Sequence, residues 1–312
     1  MRIVIALGGN ALGIDPKIQK QNTDLTAKYL AKIIKMGHEV IITHGNGPQV
    51  GLINLAFEEG SKNNKNIYMM PLSECGAMSQ GYIGYHLSNS LLNEFNKNDI
   101  KKNVVSVNTN VLVDKDDDAF KNPTKPIGSF YSKEEALKFG CPVKEDSGRG
   151  WRRVVASPRP QSILEKAEIE TLIKSGFVVI CCGGGGTPVI YDNGYKGVDA
   201  VIDKDFASSK LATEIDADML MILTAVSNAK INFGKENETD LKNVTLDECN
   251  KYLLGEEFKN GSMKPKVIAC MDFVKNGDNK KAVITDIEHA LDAVNLKEGT
   301  IITSNYEEIK RN

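Results

Sequence analysis

The chain has 312 residues, with 39 basic and 41 acidic side chains and a formal net charge of −2. That length can bury one large core or two modest ones, and the near-neutral balance gives no broad cationic field for nucleic acid. No apolar run approaches the roughly 20 residues that cross a bilayer, and the first residues lack the pattern of a secretory signal.

Six cysteines (Cys75, Cys141, Cys181, Cys182, Cys249, Cys270) show no CxxC spacing. They read as reduced thiols of a cytoplasmic protein. Four scattered histidines argue against a zinc centre.

In chain order, residues 2–7 (RIVIAL) read as a strand that stops at Gly8-Gly9-Asn10. Paired glycines let bare backbone N–H groups approach an oxyanion, because no Cβ stands in the way. The turn is neither the Walker sequence nor the GxGxxG fingerprint. Residues 23–36 predict a helix with Leu30, Ile33 and Ile34 on one face and Gly37 as its stop. A second strand over 39–43 ends at His44-Gly45-Asn46-Gly47-Pro48, and a helix is predicted over 49–59.

Residues 114–159 break this alternation, with Pro123, Pro126, Pro142 and Pro158, the run Asp116-Asp117-Asp118, and Arg149, Arg152 and Arg153 around Trp151. A loop of that length is unusual inside a compact domain, so a small excursion with its own short strands is expected. The acidic run reads as a solvated turn. The arginines either bind anions or pair with Glu145 and Asp146.

Beyond the excursion, a helix over 163–174 feeds a strand over 177–182, which ends at the glycine run 183–186. Residues 219–223 and 281–285 are two further apolar strands. Strand, glycine turn and helix in repetition imply a mainly parallel sheet covered on both faces. Ligands of such sheets sit outside the carboxyl ends of the strands, which is where the three glycine turns fall.

Two lysines stand out. Lys204-Asp205 lies in VIDKDFASSKLA (201–212). Asp205 either caps the helix starting there or orients Lys204 towards a phosphate. Lys266 follows Pro265, a residue suited to a first helical turn. A cation beside that positive helix end is unfavourable unless an anion binds between them. His44 is a possible general base, though a role tying down the following glycine loop is the plainer reading. GxSxG, HExxH and the protein-kinase triplets are absent from the sequence. Phosphoryl transfer to an acceptor that is already an anion needs no base, only positioning and charge stabilisation by lysines, N–H groups and Mg²⁺.

The segments Gly8-Gly9-Asn10, HGNGPQVG (44–51), PLSECGAMSQGYIGY (71–85), GRGWRRVVASP (148–158), GGGGTPV (183–189), VIDKDFAS (201–208), LTAV (223–226) and GSMKPKV (261–267) can be read together. They resemble the carbamate kinases, a branch of the amino acid kinase family. They follow in order over nearly the whole chain. The resemblance implies an α/β fold, a three-layer αβα sandwich around a mainly parallel open sheet, with residues 114–159 as a small protruding lobe. Residues 1–312 would form one domain, its N-terminal part binding carbamoyl and phosphoryl groups and the part after 183 binding the nucleotide.

The activity implied is ATP + carbamate ⇌ ADP + carbamoyl phosphate with Mg²⁺, in a homodimer, running towards ATP in fermentative arginine breakdown. By the same resemblance, Gly8, Gly9, Asn10, Gly45 and Asn46 would bind the transferred groups. Lys204 and Lys266 would stabilise the phosphates, Asp205 would organise the lysines, and Lys125 in KPIGSFY (125–131) would reach in from the lobe. The adenine would lie near Thr224, Ala225, Val226 and Met263. No protein metal ligand is implied.

The family pattern is not matched everywhere. Ser227 and Lys230 stand where an acidic residue and a tyrosine are usual, and residues 134–146 form a short stretch. Ala6 replaces the lysine of other branches and argues against acetylglutamate kinase. The rival readings are a related kinase with an amino-acid carboxylate or nucleoside monophosphate acceptor, and a catalytically silent nucleotide sensor.

Overall fold

The computed structural model describes residues 1–8, 12–13, 15–146, 148–258 and 263–305. Its largest sheet has eight strands, numbered here in chain order. From one edge they run β15 (Asn243–Thr245), β17 (Thr300–Thr303), β16 (Lys281–Thr285), β12 (Met219–Leu223), β1 (Arg2–Leu7), β2 (Glu39–His44), β9 (Val178–Ile180) and β3 (Val104–Ser106). Every neighbouring pair is parallel except β16 with β17. The sequence expectation of a mainly parallel sheet is met, and β1, β12 and β16 have the expected bounds.

Alternate side chains of β1 enter two different cores, as the period of two requires. Val4 and Ala6 join residues of α5 (Lys166–Lys174), α6 (Lys204–Glu214), α7 (Leu246–Leu254) and α8 (Met263–Lys275). Ile3, Ile5 and Leu7 join α1 (Pro16–Lys35), α3 (Leu72–Lys97) and α9 (Ala290–Val294). Both faces of the sheet are therefore covered, which explains why its strands are continuous apolar runs rather than alternating ones. The result is the three-layer αβα arrangement.

Two elements differ from their predicted bounds for physical reasons. α1 starts at Pro16, well before residue 23, because Asp15 accepts hydrogen bonds from the backbone N–H of Lys17 and Ile18. The inward positions of its first turns are Gln19, Thr23 and Thr26, so the apolar period does not reveal them. The helix predicted from residue 163 begins only at Lys166, since Ile163 ends strand β8 (Pro160–Ile163).

β8 belongs to a second sheet of four strands, in the order β11 (Tyr195–Gly197), β10 (Thr187–Tyr191), β4 (Asn110–Val113) and β8. A two-residue ribbon pairs β13 (Lys230–Ile231) with β14 (Thr239–Asp240), where Lys230 bonds Glu238 and Asp240.

Within residues 114–159 a three-stranded antiparallel sheet forms, in the order β5 (Lys125–Tyr131), β7 (Trp151–Val155) and β6 (Val143–Glu145). The one-turn helix α4 (Lys133–Ala136) follows β5. This small sheet has a core of its own against α2 (Gly47–Asn63) and the start of α3, built from Val50, Leu72, Cys75, Ile127 and Val155.

The acidic run is local: Asp117 caps a single turn at Asp118–Phe120, and Asp118 pairs with Lys121. Arg149 and Arg152 pair with Asp146, and Arg153 pairs with Asp199 rather than Glu145.

α3 packs against β3 so closely that a Cβ on Gly84 would meet the Ser106 side chain, its Cβ only 2.8 Å away. Overpacking of that kind costs about 1–3 kcal/mol. Gly84→Ala is therefore expected to lower stability by that amount in denaturant titrations. Adding Ser106→Gly should recover part of the loss; an unchanged midpoint in the single variant would show that α3 can shift away at no cost.

Candidate active site

The carboxyl ends of three adjacent parallel strands define the site. Leu7 of β1 pairs with His44 of β2, and Ala6 pairs with Ile222 of β12. Gly8, Gly45 and Thr224 therefore emerge side by side. The ends are close: a Cβ on Gly8 would stand 2.9 Å from the carbonyl oxygen of Leu223. The third turn joins them from β9. Gly184 has φ +67°, and a Cβ there would collide with the side-chain amide of Asn46. That amide donates to Ser79 Oγ on α3 at 2.8 Å. Asn46 is the N-cap of α2 without using its side chain as a cap.

A cleft of about 620 Å³ opens between the turns at Gly45 and Gly184 and the small sheet, and Gly8 is not among its lining residues. Gly45, Asn46, Gly184, Lys125, Lys204, Asp205 and Lys266 all line it, together with Asp203 and Arg152. At its floor, Asp205 accepts from Lys204 Nζ at 2.5 Å through Oδ1 and from Lys266 Nζ at 3.1 Å through Oδ2. All three side chains are nearly buried, at 13%, 3% and 8% exposure for Lys204, Asp205 and Lys266. Two ammonium groups on one carboxylate leave a positive site that an anion would complete, since unpaired buried charge is costly.

The helix positions of these groups are fixed from below. The Ser208 hydroxyl donates to the carbonyl of Lys204 at 2.6 Å and lies 2.6 Å from Thr43 Oγ1 at the end of β2.

Of the two readings of Asp205, the cap is not the one found. Asp203 caps α6, accepting from the Asp205 N–H at 3.0 Å, while Asp205 sits inside the first turn with its carboxylate on the lysines. Lys125 is the first residue of β5, and its ammonium reaches the other oxygen of Asp203 at 2.9 Å.

Burial opposes ionisation of Asp203. Lys125 beside it, together with hydrogen bonds from Lys125 and the Asp205 N–H, outweighs burial and holds its carboxyl below the usual range. Asp203 was missed in the sequence because a capping aspartate next to Lys204-Asp205 looks like part of the same polar run.

Of the remaining expected site residues, Thr224 is half-buried at the end of β12, with its N–H on the Thr285 carbonyl. Ala225 and Val226 are exposed beyond it, and Met263 at the start of α8 packs against the core. None of these four lines the cleft around the lysines. Gly9 and Asn10 lie outside the described residues. Among the described residues, no three His, Cys, Asp or Glu side chains converge as a metal cage.

His44 is buried, and its Nδ1 lies 3.0 Å from the Gly45 carbonyl. A carbonyl only accepts, so Nδ1 carries the proton and the ring ties down the glycine turn. Burial, with a smaller push from Lys204, lowers its pKa to about 4 against the Gly45 bond. His44 is thus neutral, and it is not among the residues lining the cleft.

A histidine held neutral contributes stability above its ordinary pKa of 6.5 that is lost as pH falls towards 4. At 1.36 kcal/mol per unit the loss is about 3 kcal/mol. An asparagine in its place would keep a donor for Gly45 without a titrating group. The stability difference between wild type and His44→Asn should therefore shrink by about that amount between pH 7 and pH 4. Parallel pH profiles from denaturant titrations would show that the ring is protonated as easily in the fold as outside it.

A model of the amino acid kinase family matches residues 1–286. Carbamate kinases of Clostridium perfringens and Pyrococcus horikoshii are 50% and 51% identical to the chain, over 97% of it and 99% of each relative. A carbamate kinase-like protein of Escherichia coli is 50% identical over 96% of the chain and 98% of that protein. The solved structure of carbamate kinase from Giardia lamblia bound to AMP-PNP superposes with a TM-score of 0.90 at 45% identity, covering 97% of this chain and 98% of that one.

Proposed function

The chain belongs to the amino acid kinase family, and from that premise we propose that it transfers a phosphoryl group between ATP and carbamate, ATP + carbamate ⇌ ADP + carbamoyl phosphate. The observation that carries this reading is the buried Lys204–Asp205–Lys266 cluster facing the glycine turns, with no histidine among the described residues that line the cleft. Relatives at 50% identity over nearly their full length bear the corresponding name.

Carbamate is already an anion, so its carboxylate oxygen attacks the terminal phosphorus without losing a proton. The bond from that phosphorus to the bridging oxygen of ADP breaks, and the negative charge moves onto ADP. The chain's task is to hold the anions in line and balance their charge. Lys125, Lys204 and Lys266 against Asp203 and Asp205 make three ammonium groups against two carboxylates.

Each lysine spends one donor on its aspartate and keeps others for phosphate oxygens. Gly8, Gly9, Asn10, Gly45 and Asn46 are assigned to the carbamoyl and transferred phosphoryl groups, and Thr224, Ala225, Val226 and Met263 to the base of the nucleotide. Residues 114–159 are assigned as a lobe that covers the cleft and carries Lys125.

Mg²⁺ is assigned to the nucleotide. Asp203 and Asp205 are held by lysines, so phosphate oxygens and water would supply most of its ligands. When bound it neutralises phosphate charge.

The assembly is assigned as a homodimer. α3 exposes Met78, Tyr85 and Leu92 at seven-residue spacing, an apolar stripe along one side of the helix. A sedimenting mass near twice 34.2 kDa is expected; a mass of 34.2 kDa at micromolar concentration would remove this assignment. A cytoplasmic location accords with six free cysteines, five of them buried. No helix of the described residues is long and apolar enough to cross a membrane. The direction assigned is towards ATP in arginine breakdown.

Purified protein should form ATP from ADP and carbamoyl phosphate with Mg²⁺, and should not phosphorylate acetylglutamate, aspartate, glutamate or UMP. Turnover of one of those without turnover of carbamoyl phosphate would overturn the reading. Lys204→Met and Lys266→Met should each lower kcat by about a hundredfold, the cost of one preorganised donor. Each variant leaves Asp205 one ammonium partner, so both should fold. Full kcat in either would show that its lysine only balances Asp205.

A further inference from the structure

Asp203 divides one carboxylate between two parts of the molecule. Oδ1 accepts the Asp205 N–H at 3.0 Å and so closes the first turn of α6. Oδ2 accepts the Lys125 ammonium at 2.9 Å. The Asp203 side chain is 15% exposed and that of Lys125 42%, so the carboxylate is the fixed member and the long lysine the mobile one.

The surrounding backbone makes the bridge stiff. Lys125 pairs with Val155 at the root of the small sheet. The next residue, Ala156, bridges Ala200 and accepts the Val201 N–H at 3.0 Å. The segment that carries Asp203 is therefore tied by backbone to the base of the same sheet that carries Lys125.

We propose that Asp203 is a positioning residue for phosphoryl transfer, holding Lys125 of the small sheet in register with the Lys204–Asp205–Lys266 cluster. The inference rests on the function proposed above. Its physical basis is that α6 presents Lys204 and Asp205 at its first two positions, immediately after Asp203. A lysine anchored to the cap of that helix shares its frame of reference, whereas an unanchored one samples the rotamers of a four-carbon stem. Asp203 takes one donor of Lys125 and leaves the others for an anion in the cleft. It acts through Lys125 and need not touch substrate.

The test is a double-mutant cycle of Asp203→Asn and Lys125→Ala, read as kcat and KM for carbamoyl phosphate and for ADP in the full-length protein. Asparagine caps a helix as well as aspartate does, so the melting temperature should change little while the charge that holds Lys125 is gone. Asp203→Ser, which also caps, replaces it if the first variant does not fold.

Displacement of a positioned group costs about tenfold to a hundredfold, so kcat/KM for carbamoyl phosphate should fall by that factor in Asp203→Asn. The KM for ADP should hardly move. In the Lys125→Ala background the same substitution should change kcat/KM by less than about twofold, because contacting sites that act as one do not add. Equal losses in both backgrounds, an unchanged kcat/KM in Asp203→Asn, a gain of activity on losing the carboxylate, or an inert Lys125→Ala would each overturn the inference. Failure of the function reading is separate, since it would show as a wild-type protein that forms no ATP from carbamoyl phosphate and ADP.

Discussion

The carboxylate of Asp205 is the constraint around which the rest of the site is arranged. The two ammonium groups that share it could not be buried together without an anion between them. Lys204 comes from α6 and Lys266 from α8, so Asp205 is also the electrostatic joint between two helices on one face of the sheet. The joint is anchored to the sheet itself through Ser208 and Thr43. Positive charge is thereby fixed at the carboxyl edge of a rigid sheet rather than on a loop, and a site built on such elements holds its geometry best.

Around that centre, close backbone approach does the rest. Gly8 lets the end of β1 lie against the end of β12, and Gly184 leaves room for the side chain of Asn46. The Asn46 amide donates to Ser79 and its oxygen makes no cap bond, so the N-terminus of α2 faces the cleft uncapped by that side chain. Neutral His44 stiffens the same turn without adding a proton donor to the cleft. A reaction whose acceptor is already ionised has no use for a base, and the chemistry and the architecture agree on this point.

Much of this was legible in the sequence, and the limits have physical causes. The bounds of β1, β12 and β16 could be read because strands buried on both faces are uninterrupted apolar runs. Lys266 stood out because a lysine at a helix start is electrostatically odd, and Lys204-Asp205 because an aspartate there either caps the helix or orients the lysine towards a phosphate. The long helix α3 did not show, since Gly76, Gly81 and Gly84 lie inside it and lower its propensity. The first turns of α1 were hidden by inward-facing Gln19 and Thr23, although Asp15-Pro16 is a good start signal. Asp203 does not stand out in the sequence, and Asp205 carries two readings there, because capping and ion pairing both suit an aspartate at that point in the chain. Only three-dimensional distance separates the two.

The small sheet shows how the fold divides its charges. Among the described residues, its core against α2 and the start of α3 contains five buried side chains, Val50, Leu72, Cys75, Ile127 and Val155, against the dozens that line the two faces of the main sheet. A unit held by so few apolar contacts opens more readily than the layers beneath it. Lys204 and Lys266 stand on those layers, while Lys125 stands at the root of the small sheet, so two of the three lysines are carried by the main fold and one by that sheet. The polar link to Asp203 lies at that root, where the chain enters and leaves. Trp151 lies at the opposite end of the β5–β7 pairing, so displacement of the tip would carry little leverage on Lys125.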